Sequence, residues 1–156
     1  MKLHKDLKEF IELLNSLKID FVVVGAHAVA FHGYPRFTGD IDLFISPSPL
    51  TATKLTTALQ SFGFPIPPGF ENAFTQPEKI IQLGRAPNRI DLLTSISGVT
   101  FDEAWGDSIT TNLDGIPVRI LGLKTLLKNK RASGRAKDLA DIEEISAKSK
   151  RPDIKK

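Results

Sequence analysis

With 156 residues, 41% hydrophobic and 25% charged, the chain has the length and balance of one globular domain. The lack of cysteine excludes a disulfide framework and a thiolate metal site. No apolar run approaches the ~20 residues of a membrane span. The amino-terminal segment shows neither the apolar core nor the small-residue cleavage site of a secretory signal, so a cytoplasmic protein without membrane contact is expected. The formal net charge of +3 is uneven: Lys148, Lys150, Arg151, Lys155 and Lys156 against Asp153 give +4 over residues 148–156, leaving −1 for 1–147. This predicts a near-neutral domain over 1–147 and a basic, solvated tail over 148–156, and it gives no electrostatic case for nucleic-acid binding by the domain.

In chain order, residues 4–18 repeat apolar positions at Leu7, Phe10, Ile11, Leu14 and Leu17, a helical period. Phe21–Val24 is a continuous apolar run with three valines, the pattern of a buried strand. The alanine-rich stretch 26–33 predicts a short helix, and the loop Tyr34–Gly39 leads to a strand over 40–45. Ser46-Pro-Ser-Pro49 then opens a helix over about 50–61, with Pro49 suited to a first turn. Residues 63–78, rich in proline and phenylalanine, are the least regular stretch. Strands are expected at Lys79–Leu83 and Arg89–Thr94, joined by Gly84–Asn88, and a short helix at Thr100–Trp105. Ser108–Leu113 and Ile116–Leu121 flank Asp114-Gly115, a hairpin signal. Two helices, Leu123–Lys130 and Arg135–Ala147, separated by Gly134, complete the domain. The expected class is α/β (α+β), a mixed central sheet of about five strands flanked by helices.

The chemistry concentrates in two places. Phe21–Val24 runs into Gly25-Ala26, where a glycine turn at a helix N-terminus offers backbone N–H groups to a phosphate. Further on, Asp40 and Asp42 sit at i and i+2 of a strand, so they share a face with Cα atoms ~6–7 Å apart. Carboxylates this close repel and raise each other's pKa, and a hard divalent cation relieves the repulsion. Asp91 in Arg89-Ile-Asp-Leu-Leu93 supplies a third acid on a later strand. Three such acids are the ligand set of a two-metal centre, in which Asp91 also takes the proton of, or orients, an attacking hydroxyl. Taken singly, each acid equally fits a solvated strand end.

Other residues read both ways. His27 directly follows the glycine turn, where it faces either phosphates or packing; His32, five residues on, points from a different helix face, so the two do not form a joint metal site. Arg36 and Thr38 precede the acid pair and serve either substrate or the loop. Arg85 and Arg89 flank a turn, as a cationic contact or as a solvated surface. Trp105 and the phenylalanines read as core. In the last helices Arg135, Asp138 and Asp141 recur at i, i+3, i+6, and Lys137 and Asp141 form an i, i+4 pair.

The motif apolar-Gly25-Ala26-x(13)-Asp40-Ile-Asp42 with a later strand Asp91 resembles the DNA polymerase β-like nucleotidyltransferase superfamily. The stretch Val24–Asp42 is similar to its small bacterial branch that includes the abortive-infection AbiE-type toxins, whose C-terminal helical motif is matched by Lys130-Arg-Ala-Ser-Gly-Arg-Ala-Lys-Asp138-Leu-Ala-Asp141. The resemblance covers about residues 20–145. It implies the polymerase β-like fold, with Asp40, Asp42 and Asp91 as catalytic metal ligands for two Mg²⁺ ions, Mn²⁺ being an alternative. It also implies that Gly25, Ala26 and Lys130 meet the nucleotide phosphates and that Asp138 lies close to them at the active site; Thr38, just before the acid pair, is expected among the nucleotide contacts from its position. The implied reaction moves NMP from an NTP to an acceptor hydroxyl and releases pyrophosphate, the acceptor being a tRNA end, a protein or a small antibiotic-like molecule; a toxin role would add a cognate antitoxin. The family usually has Gly-Gly or Gly-Ser where this chain has Gly25-Ala26, so a serine hydroxyl is missing and only the backbone N–H of Ala26 remains. A catalytically degenerate nucleotide- or partner-binding module of the same fold is the alternative reading.

Overall fold

The computed structural model describes residues 5–33, 40–85 and 88–150, apart from the side chains of Lys137, Ser146 and 148–150. The loop Tyr34–Gly39, with Arg36 and Thr38, the centre of the 84–88 turn, the Lys137–Asp141 pair and the tail beyond 150 therefore lie outside the described residues.

Among the described residues thirteen elements follow in order. Helix α1 (Lys5–Ser16) buries Leu7, Phe10, Ile11 and Leu14, the stripe its period predicts. Strand β1 (Phe21–Val24) is buried at all four positions and turns directly into α2 (Gly25–Phe31). Strand β2 (Ile41–Ile45) precedes α3 (Pro49–Ser61), which Ser48 caps by accepting the N–H of Thr51. The 63–78 stretch contains only the one-turn α4 (Phe70–Ala73). The hairpin β3 (Ile80–Arg85) and β4 (Asn88–Leu93) leads to α5 (Phe101–Asp107), which opens on a capping box of Thr100 and Glu103. A second hairpin, β5 (Ile109–Leu113) and β6 (Ile116–Ile120), precedes α6 (Leu123–Ser133) and α7 (Ala136–Lys150).

Among the described residues the sheet has six strands in the order β3-β4-β2-β1-β6-β5, one more than the expected five or so. Both hairpins and the β1–β2 pair are antiparallel, whereas β2–β4 and β1–β6 are parallel, so the sheet is mixed as expected. Alternation sends Ile41, Leu43 and Ile45 to one face and Asp42 and Phe44 to the other. On the first face α1 packs with α3, and Phe10 shares a cleft with Leu83 and Ile90. On the second face Phe101 of α5 meets Phe44 edge-on and stacks against Trp105, whose ring lies 4.2 Å from the Arg119 guanidinium. Helix α5 thus covers the Phe44 end of β2, while Asp42, one pleat back, is only half-buried.

Gly134, with φ of 66°, takes the left-handed conformation that ends α6 and lets the chain turn into α7. At its other end α6 starts at Gly122, which has no capping side chain of its own. Asp107, at the end of α5, does that work from a distance: its Oδ2 accepts the Thr125 N–H at 3.1 Å and the Thr125 hydroxyl at 3.0 Å. A Cβ on residue 122 would run into Asp107, so glycine is required for this approach. Replacing Asp107 by Ala should cost about 1–2 kcal/mol, the range for a lost N-cap, read as a lower urea midpoint with unchanged slope.

Candidate active site

The β2–β4 register places Asp42 directly beside Asp91, and the β1–β2 register places Val24 beside Asp42. One row across the sheet therefore reads Val24, Asp42, Asp91, Gln82, with Gln82 exposed on the outer strand. Gly25 follows Val24 with φ of 68°, a conformation that favours glycine. A Cβ at position 25 would collide with the Asp42 carboxylate, so the glycine turn and this acid are in direct contact. Gly25, Ala26, Asp40, Asp42 and Asp91 are in this way gathered at one end of the central strands. The N-terminal backbone of α2 lies next to the acids.

Crowding shows in the electrostatics. Burial, then the charges of Asp91 and Asp40 and a hydrogen bond shared with Asp91, push the Asp42 carboxyl up to about 6. Among the described residues the compensating cation is Arg89. Its Nε donates to Asp91 Oδ1 at 2.8 Å and its Nη2 to Asp91 Oδ2 at 3.1 Å, and Nη2 lies 3.3 Å from Asp40 Oδ2. The turn-flanking Arg89 is thus part of the acid cluster, whereas Arg85 stays exposed. The signal was present in the sequence: Arg89 and Asp91 stand at i and i+2 of one strand and must share a face.

His27 is buried rather than turned to solvent, and burial lowers its pKa despite a hydrogen bond to the Asp40 backbone. It ties α2 to the start of β2. His32 uses Nε2 to meet the Leu121 carbonyl at 2.7 Å, which leaves the two histidines in separate structural roles.

Lys130, Asp138 and Asp141 form a second, buried ionic cluster between α6 and α7. Lys130 Nζ donates to Asp138 Oδ1 and Asp141 Oδ2, both at 3.0 Å, and the three side chains are 10%, 2% and 5% exposed. Asp138 also accepts from Arg135 Nε at 2.6 Å and from the Ser133 hydroxyl. Burial alone would raise the Asp138 pKa; the hydrogen bonds from Arg135, Ser133 and Lys130 overcome it and hold the carboxyl below the ordinary range. A phosphate reaching Lys130 would have to compete with two carboxylates.

Asp40, Asp42 and Asp91 are hard oxygen donors on adjacent strands, and the raised pKa of Asp42 marks charge that a divalent cation would relieve. In donor chemistry they fit Mg²⁺ or Mn²⁺. Among the described residues no three Asp, Glu or His side chains already stand around a common point, and Arg89 engages both oxygens of Asp91 and one of Asp40.

The model of the family described as "Nucleotidyl transferase of unknown function (DUF2204)" matches residues 3–155. No curated protein matches the chain. Among solved structures, a candidate nucleotidyltransferase from Thermotoga maritima superposes with a TM-score of 0.58 at 16% identity, covering 92% of each chain. The lincosamide antibiotic adenylyltransferase LnuA, solved with lincomycin bound, gives 0.56 at 15% identity over 94% of this chain and 99% of that one. An antigenic nucleotidyltransferase-like protein from Paracoccidioides brasiliensis gives 0.51 at 19%, over 93% and 76%. At these identities the structural matches speak for the fold.

Two stability measurements check the two clusters. The Asp42 pKa rises from 3.8 to about 6 on folding, so its contribution to stability is full below pH 4 and is lost as pH climbs through 6. In metal-free buffer Asp42→Asn should therefore be more stable than wild type above pH 7, by about 1–2 kcal/mol after solvent screening, with the gain vanishing near pH 4. Lys130→Met leaves two buried carboxylates without their shared cation, and should lower stability by about 3 kcal/mol at pH 7, read by urea unfolding.

Proposed function

The chain belongs to the DUF2204 family of nucleotidyl transferases, and from that premise we propose a divalent-metal-dependent enzyme that transfers NMP from an NTP to the hydroxyl of a small molecule. The observation that carries the reading is the row Val24–Asp42–Asp91, with Gly25 pressed against Asp42: two carboxylates in register beside a turn able to receive phosphate. Asp40 and Asp42 would hold metal on the nucleotide side, and Asp91, shared with the second ion, would orient the acceptor hydroxyl or take its proton. Held there, Mg²⁺ would supply the positive charge that the phosphates and the departing pyrophosphate need.

The chain's own contributions are positioning and charge. Backbone N–H groups of Gly25 and Ala26, at the start of α2, would meet phosphate oxygens without the hydroxyl that a serine at position 26 would add. Thr38 is assigned to the nucleotide by its place in the sequence just before the acid pair. Lys130 and Asp138 carry two readings: as the family motif they would reach the nucleotide, while their pairing with Asp141 supports a role in fastening α7 to α6. The buried, fully paired geometry favours the second.

A small acceptor is supported by LnuA, which holds lincomycin on a chain of nearly the same extent, and by the near-neutral charge of residues 1–147. An AbiE-type toxin with a cognate antitoxin, or a tRNA or protein acceptor, rests on the sequence resemblance alone. The degenerate-module reading is opposed by the intact acid set, which costs stability and would drift if unused.

The test is pyrophosphate release from each NTP with Mg²⁺, using lincosamides and aminoglycosides as acceptors and bulk tRNA as the contrast. Asp42→Asn should lose at least 100-fold in release while remaining folded. Release at the wild-type rate by that variant would remove the acid row from the mechanism, and incorporation into tRNA would redirect the acceptor assignment.

A further inference from the structure

We infer that Arg89 is the resident counter-ion of the acid cluster: it holds Asp40 and Asp91 in the metal-free protein and competes with divalent metal for their oxygens. The inference deepens the proposed function and rests on its reading of the three acids as metal ligands.

The backbone sets up the contact. Arg89 and Asp91 stand on the same face of β4, and the parallel Ile41–Ile90 pairing brings Asp40, just before β2, alongside Arg89. On its other side Arg89 is paired with Gly84, which offers no side chain to lean on. The guanidinium turns to the acids, engaging both Asp91 oxygens and Oδ2 of Asp40 at 2.8, 3.1 and 3.3 Å. A planar fork on one carboxylate with an arm left for a second is geometry particular to arginine.

These oxygens are the ones that a metal would need. Carboxylates coordinate Mg²⁺ at about 2.0–2.1 Å in a near-octahedral shell, which leaves no room for N–H donors on the same lone pairs. A metal that takes Asp40 Oδ2 or the Asp91 oxygens therefore competes directly with Arg89, which would loosen its hold on Asp40 or its fork on Asp91 as metal enters. The side chain is 29% exposed, so it has open solvent into which to move. Among the described residues Arg89 is the positive charge set against these acids; it lowers their mutual repulsion in the metal-free protein and sets a threshold that metal must exceed. Arg89 is thus a positioning residue, acting on the reaction through the acids.

The experiment is calorimetric and thermal-shift titration of Mn²⁺ and of Ca²⁺, without nucleotide, into wild type, Arg89→Gln, Arg89→Lys and Arg85→Gln. Metal-free Arg89→Gln should melt below wild type, because Asp40 and Asp91 lose the guanidinium that pairs with both. It should bind Mn²⁺ at least tenfold more tightly and show a larger metal-induced rise in Tm. Arg89→Lys, which keeps the charge without the fork, should fall between the two, and it carries the test if Arg89→Gln does not fold. Arg85→Gln, the same charge change on the same hairpin, should stay within twofold of wild type. Unchanged or weaker metal binding by the Arg89 variants, with wild type binding normally, overturns the counter-ion role and leaves the metal site standing. Equal tightening in Arg85→Gln also overturns it, by reducing the effect to net charge. Binding by none of the four chains overturns the metal site and this inference together.

Discussion

The parallel pairing of β2 with β4 is the constraint on which the rest depends. Backbone hydrogen bonds set Ile41 beside Ile90 and Leu43 beside Leu92, and those apolar pairs are fully buried. The same register leaves no choice about the residues between them: Asp42 must stand beside Asp91. Side chains of buried leucine and isoleucine contribute about 1.5–3 kcal/mol each, enough to hold two carboxylates where their charges repel. The core thus supplies the stability that the acid row consumes.

The protein contains two groups of buried or half-buried acids with opposite electrostatics. Around Asp138, one lysine, one arginine and one serine hydroxyl satisfy the carboxylates, which holds Asp138 ionised and joins α6 to α7. Around Asp42, Arg89 is the cation that the described residues bring to the three acids, and the middle acid is pushed toward protonation. A balanced cluster suits a fastening; an unbalanced one suits a place where cations come and go. This contrast is why the structural weight of the reading falls on Asp40, Asp42 and Asp91 rather than on Lys130.

Much of the architecture was legible because it rests on local rules. The period of Leu7, Phe10, Ile11 and Leu14, the valine run of β1, the Asp114-Gly115 hairpin and the Gly134 break each correspond to an observed element. Part of the site was legible for the same reason, since residues two apart on a strand share a face whatever the fold. What was harder to read involves partners distant in sequence. Arg89 passed for a turn residue because its second acid, Asp40, is 49 positions earlier. The capping of α6 by Asp107 depends on how two helices meet, and the saturation of Lys130 depends on how α7 folds back.

The sequence by itself determined the elements, the alternation of their faces and the chemical types available: a glycine turn, three strand acids, a lysine and acid-bearing helix pair. These follow from local sterics and periodicity, which act over a few residues. Only the tertiary structure decided that Asp42 and Asp91 are neighbours, that Gly25 touches the Asp42 carboxylate, and that Arg89 neutralises the cluster while Lys130 is already paired. Those facts depend on strand order and register, which are set by burying the whole apolar face at once and so cannot be read from any one segment.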